Sequence, residues 1–267
     1  MNLTTDKTTI MGILNVTPDS FSDGGEFNNP DQAVEHALRM VEEGADIIDI
    51  GGESTKPGSE PVNEKEELNR VMPVIERLVQ KTDVPISIDT YKPAVAEAAL
   101  KAGAKILNDV TGLTNPGMIA VATKFKCPVI IMHMQAKPKT MQAEPQYKDV
   151  INDIKTFFKK QIIKAKAAGI TEIILDPGIG FGKTLEHNLI ILKRLHEFTY
   201  LGYPLLVGPS RKSFIGKLTG DTLPNDRLEG TIASVVTARL HGAAIVRVHD
   251  VLACRRALQV ADAILIS

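Results

Sequence analysis

The chain has 267 residues, 43% hydrophobic and 24% charged, enough to bury one large α/β core rather than two small ones. Its 31 Lys and Arg nearly balance its 32 Asp and Glu, leaving a formal net charge of −1. Without a block of like charges, that argues against general nucleic-acid binding, while a small anionic ligand needs only one local basic cluster.

From the amino end, short runs rich in Ile, Val and Leu alternate with amphipathic stretches. A strand at 9–16 leads through a long loop to a helix at 31–43, where Ala33, Ala37, Leu38 and Val41 share one face. Strand 46–51 is followed by helix 64–81, strand 85–90 by helix 93–102, and strand 105–110 by helix 118–125. Strand 128–134 precedes helix 150–168, strand 172–177 precedes helix 186–200, strand 204–208 precedes helix 227–241, and strand 244–249 precedes helix 252–266. Gly44-Ala45, Gly103-Ala104, Gly169-Ile170 and Gly242-Ala243 punctuate the returns to the sheet, as left-handed helix caps do.

Eight βα units in this length predict a TIM (β/α)8 barrel as a single domain over 1–267. A doubly wound open sheet is the alternative, but no G-x-G-x-x-G turn follows the first strand. No apolar run approaches the ~18 residues of a membrane span. The first nine residues are polar, and Cys127 and Cys254 sit in no short-range motif, so a cytoplasmic, reducing location is expected.

In a barrel, the groups that act come from the C-terminal ends of the strands and the loops beyond them. Those ends are polar here: Asn15, Asp89, Asn108 with Asp109, His133, Asp176, the run Ser210-Arg211-Lys212-Ser213, and Arg247 with His249. Any one alone is what a strand end or helix cap often carries; seven that converge in space mark a site. Arg247 and His249 are two residues apart and share a strand face. They read as a structural salt bridge or as a phosphate-type site using the planar guanidinium fork. Asp89, Asn108 and Asp176 suit the edge of a flat heterocycle, whose adjacent N–H groups a carboxylate can accept in pairs, or a divalent metal among oxygen ligands. Spacing does not separate the two. The loop at 17–25 contains turn formers and one apolar residue, Phe21, and reads as a lid. Asp49 and Glu53 read as structural hydrogen-bonding groups. The segment 176–183 lacks Walker spacing, so its glycines are expected to let backbone approach a ligand, with Phe181 as a wall.

Seven segments, in order across nearly the whole chain, carry a resemblance: GILNVTPDSFSDG at 12–24, DIGGEST at 49–55, SIDT at 87–90, ILNDV at 106–110, LDPGIGFG at 175–182, GPSRKS at 208–213 and RVHDV at 247–251. On these the chain resembles the dihydropteroate synthase family. The resemblance implies a barrel enzyme, a transferase of folate biosynthesis, that joins a dihydropterin diphosphate to p-aminobenzoate and releases pyrophosphate. It implies that Asp89, Asn108, Asp176 and Lys212 hold the pterin, with Arg247 stacked on it. Asn15, Arg247 and His249 would hold the diphosphate, with Asn15 also touching Mg²⁺. Phe21, Thr55, Phe181, Lys212 and Ser213 would border the p-aminobenzoate pocket, and Asp23 would join the closed site. Asp23, Lys212, Arg247 and His249 are thus the implied catalytic set, in a homodimer inhibited by sulfonamides. One departure is Lys56, where the family typically has Arg; Lys keeps the charge but loses the bidentate fork. Another pterin-binding barrel, such as a methyltetrahydrofolate methyltransferase, would share the acidic pocket without needing the Lys212-Ser213 pair, the Arg247/His249 site or the long first loop. A non-catalytic pterin-binding barrel would need no lids.

Overall fold

The computed structural model describes residues 7–17, 30–54, 59–135, 141, 145–220 and 223–267. Eight parallel strands run in the order β6-β5-β4-β3-β2-β1-β8-β7. They are β1 (Thr9–Asn15), β2 (Ile47–Gly51), β3 (Ile86–Asp89), β4 (Ile106–Asp109), β5 (Val129–Met132), β6 (Ile173–Asp176), β7 (Leu206–Val207) and β8 (Ile245–Val248). A parallel bridge between Leu175 and Leu205, with Leu175 N donating to Pro204 O at 2.9 Å, joins the first and last strands. The sheet is therefore a closed barrel, as expected, and no open-sheet switch point exists.

Helices α1 (Pro30–Glu42), α2 (Glu64–Leu78), α3 (Pro93–Ala102), α4 (Pro116–Phe125) and α5 (Val150–Ala167) lie within two or three residues of their sequence-derived bounds. Their apolar faces pack on the outside of the barrel; Ala33, Ala37 and Met40 of α1 are buried there. Gly103 ends α3 with φ 119°, the left-handed turn that the Gly-Ala punctuation anticipated.

Two departures follow from burial rather than periodicity. The single helix expected at 186–200 is broken into α6 (Leu185–Lys193) and α7 (His196–Thr199), which turns both Leu195 and Phe198 into the core. A short helix not expected from periodicity, α8 (Ser213–Thr219), follows β7 and buries Phe214 and Ile215. The ring closes with α9 (Leu228–Leu240) and α10 (Val251–Ile266). Asp262 of α10 accepts hydrogen bonds from Thr8 N at 2.8 Å, Thr8 Oγ1 at 2.6 Å and Arg239 Nε at 2.6 Å, tying the last helix to the start of β1. Among the described residues, no helix is long and apolar enough to cross a membrane.

The barrel interior is stratified. Met11, Ile47, Ile106, Ile130, Ile174, Leu206 and Ile245, one from each of seven strands, form a cluster of their own. Residues so distributed meet only inside the barrel, so they define the inward face of each strand. Two residues further along, on the same face, stand Ile13, Asp49, Asn108, Met132, Asp176, Gly208 and Arg247, and β3 adds Ser87 and Asp89 at matching register. One step of the pleat changes the interior from aliphatic to charged.

Candidate active site

Arg247 is the centre of that charged layer. Its Nε donates to Asp49 Oδ2 at 2.6 Å and its Nη2 to Asp89 Oδ2 at 2.8 Å. Asn108 Nδ2 donates to the same Asp49 oxygen at 3.0 Å. Asp49, read from sequence as structural, is fully buried and holds both the guanidinium and the amide that face the site. The signal was its place two residues after Ile47 on the inward face. Of the two sequence readings of Arg247, the structure shows the salt bridge, made through Nε and Nη2.

Above this floor, Asp89, Asn108, Asp176, Lys212 and Arg247 surround a narrow slot whose apolar walls are Val110, Met132, Ile179 and Phe181. Lys212 Nζ lies over the Phe181 ring, 4.0 Å from its centroid, a cation–π contact joining the loops after β6 and β7. Val110 and Met132 were missed as walls; Val110 shares the inward parity of Asn108, which the sequence singled out, and Met132 that of Ile130, whose inward place the fold shows. Asp109, which shares the strand end with Asn108, faces the other way and accepts from Thr111 N, Thr111 Oγ1 and Leu113 N, a turn role only.

The electrostatics reflect confinement. Burial pushes the Asp89 carboxyl up, opposed by Arg247 and reinforced by Asp49, Glu67 and Asp109. Burial also pushes Asp176 up to about 6, against the hydrogen bond from Gly178 N at 2.7 Å and the charges of Lys183, Lys212 and Arg247. Arg247, facing Asp49, Asp89 and Asp176, has its pKa raised despite desolvation.

At the mouth, Ser210 Oγ accepts from His249 N at 3.2 Å and lies 3.0 Å from His249 Nδ1. With the hydroxyl hydrogen directed to Nδ1, the ring proton falls on Nε2, a donor for an anion. Asn15 ends β1 on the inward face, level with Gly51. Arg211, at φ 57°, carries the chain from Ser210 to Lys212, and its guanidinium grips Asp250 through Nε at 3.0 Å and Nη2 at 2.6 Å. Ser213 opens α8. Phe21, Asp23, Thr55 and Lys56 lie outside the described residues. Glu53 is structural, as read: it pairs with Lys92 and accepts from Tyr91 Oη at 2.8 Å.

Two sequence readings change. The glycines of the strand-six loop make room for protein rather than for ligand. A Cβ on Gly178 would lie 2.1 Å from His133 O, and one on Gly182 would lie 2.6 Å from Gln135 O. The geometry of Asp89, Asn108 and Asp176 does not fit the metal reading. Among the described residues no three His, Cys, Asp or Glu are placed to hold a metal ion, and the Arg247 guanidinium occupies the middle of the carboxylates.

A closed parallel barrel with an acid-lined slot at its C-terminal mouth defines a class of ligand-binding barrel enzymes, and residues 11–249 match the family described as pterin binding enzyme. The chain is 52% identical to a dihydropteroate synthase of Synechocystis sp., over 97% of this chain and 90% of that one. It superposes with a TM-score of 0.94 on the Xanthomonas albilineans dihydropteroate synthase solved with 4-aminobenzoic acid, at 46% identity over 99% of this chain and 96% of that one. The Yersinia pestis dihydropteroate synthase in a sulfonamide drug complex gives a TM-score of 0.95 at 48% identity, covering 100% of this chain and 98% of that one. The chain belongs to the dihydropteroate synthase family of pterin-binding enzymes.

Proposed function

We propose that this chain condenses 6-hydroxymethyl-7,8-dihydropterin diphosphate with 4-aminobenzoate, giving 7,8-dihydropteroate and pyrophosphate. The observation that carries the reading is the Arg247 guanidinium fixed between Asp49 and Asp89, under a slot edged by Asn108, Asp176 and Lys212. A flat aminopyrimidinone fits there. Its N–H donors meet the buried carboxylates of Asp89 and Asp176, and its face lies against the guanidinium.

The bond to break joins an exocyclic CH₂, conjugated with the ring, to the diphosphate. As it lengthens, positive charge spreads into the pterin and negative charge collects on the leaving oxygens. Arg247 and His249, donating from Nε2, would hold the negative charge. Asp176, and Asp23 from the first loop, stabilise the cation. The aryl amine is neutral near pH 7; its nitrogen bonds to the CH₂ carbon and then loses one proton. No strong base is needed, in keeping with the lack of a nucleophile–base pair in the slot. Phe181 and the stem of Lys212 border the aryl-amine pocket, to which we also assign Phe21 and Thr55, and the Ser213 hydroxyl meets the carboxylate.

A Mg²⁺ ion would supply further neutralisation of the leaving group. Asn15 is the residue we assign to it. One amide oxygen fits a cation that keeps most of its coordination for phosphate oxygens and water. We assign the reaction to the cytoplasm, where the buried free thiols of Cys127 and Cys254 would stay reduced. A homodimer would cover the apolar cleft between α6, α8 and α9, where Leu189 and Leu218 are exposed.

A methyltransferase reading leaves Lys212 over Phe181 and the Ser210–His249 pair without a task. The test is pyrophosphate release from the dihydropterin diphosphate with and without 4-aminobenzoate. Release that requires the amine is expected. Release without it makes the chain a hydrolase, and none at all removes the reading.

A further inference from the structure

His133 ends strand five at the barrel mouth yet faces away from the slot, and Lys183 closes the strand-six loop while being almost completely buried. The two meet. Lys183 Nζ lies 3.2 Å from His133 Nδ1, 3.2 Å from His133 O and 2.9 Å from Phe181 O. These are three acceptors for the Lys183 amino group, two on His133 and one on the loop that carries Phe181, and burial lowers the Lys183 pKa to about 7 although Asp176 raises it. His133 is held neutral, its pKa lowered by burial first and by Lys183 second; with the lysine donating, Nδ1 accepts and the ring proton lies on Nε2. Its ring is fixed from the other side by the edge of Phe157, with centroids 5.0 Å apart.

Gly178 passes so close to His133 O that no side chain fits, and Gly182 does the same at Gln135 O. Tyr147 Oη donates to Gly182 O at 2.8 Å, and Gly180 N donates to Asn188 Oδ1 at 2.7 Å. Phe181 lies between these two anchors, with its carbonyl on Lys183 and its ring under Lys212.

We infer that Lys183 is a positioning residue, whose amino group, seated on His133, sets the place of the Phe181 ring and through it Lys212. Lys183 touches no substrate on this account. It fixes the wall of the aryl-amine pocket, and its task is invisible in the slot itself. The inference rests on the proposed function, because it takes Phe181 as that wall.

The experiment uses the full chain and measures KM for 4-aminobenzoate, kcat, and the pterin dissociation constant by calorimetry. Wild-type turnover that requires the amine is the control; its absence defeats the proposed function rather than this inference. Lys183→Met, matched in length and uncharged, is expected to raise the amine KM about tenfold or more, the scale on which small misplacements act, with pterin affinity within about threefold at pH 8, where Asp176 stays ionised without the Lys183 charge. An unchanged amine KM, or equal losses for both ligands, overturns the inference. Should Lys183→Met fail to fold, His133 carries the test: Asn can offer its side-chain oxygen where Nδ1 stood, and Leu cannot. His133→Asn is expected to stay within about twofold of wild type in amine KM, and His133→Leu to rise about fivefold or more. Equal values for the two overturn the inference.

Discussion

Arg247 Nε and Asp49 Oδ2 are 2.6 Å apart inside the barrel, although 198 residues separate them in the chain. The contact joins β8 to β2, on either side of β1, and Asp89 holds the second edge of the same guanidinium at 2.8 Å. An arginine gripped twice by carboxylates is oriented before any ligand arrives, so little reorganisation remains for the moment when charge develops.

That orientation makes Arg247 hard to replace. Arg247→Ala should cut turnover by about 10²-fold or more, the scale of a lost transition-state charge contact. Arg247→Lys should recover only part of it, because an ammonium lacks the fork that spans Asp49 and Asp89. Steady-state kinetics check both; near-wild-type turnover in the alanine variant removes the role.

Pterin binding should depend on pH through Asp176. A ring N–H donates to a carboxylate and not to its protonated form. With burial raising Asp176 to about 6, affinity should be full above that value and fall as pH drops through it, by about tenfold per unit. An ordinary carboxylate would hold affinity to near pH 4. Burial raises Asp89 as well, which acts in the same direction. Calorimetric titration from pH 5 to 8 checks this, and Asp176→Asn should flatten much of the dependence.

Gly178→Ala should destabilise the chain and weaken pterin binding together. At φ 70° an alanine costs about 1–2 kcal/mol in backbone strain alone. The overlap with His133 O must then be relieved by lifting the loop, and Asp176, tied to Gly178 N, would move with it. Denaturant unfolding beside a pterin titration reads both effects; loss of stability without loss of affinity would contradict the coupling.

Asp262→Ala tests what closes the barrel far from the slot. It removes three hydrogen bonds, one from the buried Arg239, and should cost about 3–5 kcal/mol, as breaking a buried pair does. A shift of the denaturation midpoint with unchanged KM values is the expected pattern.

Much of this was legible in the sequence because barrel strands obey alternation. Asn108, Asp176 and Arg247 each stand two residues after an inward aliphatic residue, so chemistry and geometry pointed the same way. Asp49 obeys the same rule, but an acid in the middle of an apolar strand looks structural until its partner on a distant strand is known. The role of His133, named among the polar strand ends, and that of Lys183 escaped for a related reason: their contact is between two loops, and no local pattern encodes it. The break between α6 and α7 was hidden because Leu195 and Phe198 fit a helical period until the core demands both. Phe21, Asp23 and Thr55 rest on the sequence alone.

The claim most central to the account is that the inward charged layer is the floor of a pterin site. Calorimetric titration of a pterin into the wild-type chain and into Asp89→Ala tests it most directly. The account predicts a saturable isotherm for the wild type and no measurable binding to the variant, with the variant's unfolding still cooperative. Unchanged pterin affinity in a folded Asp89→Ala protein would contradict it.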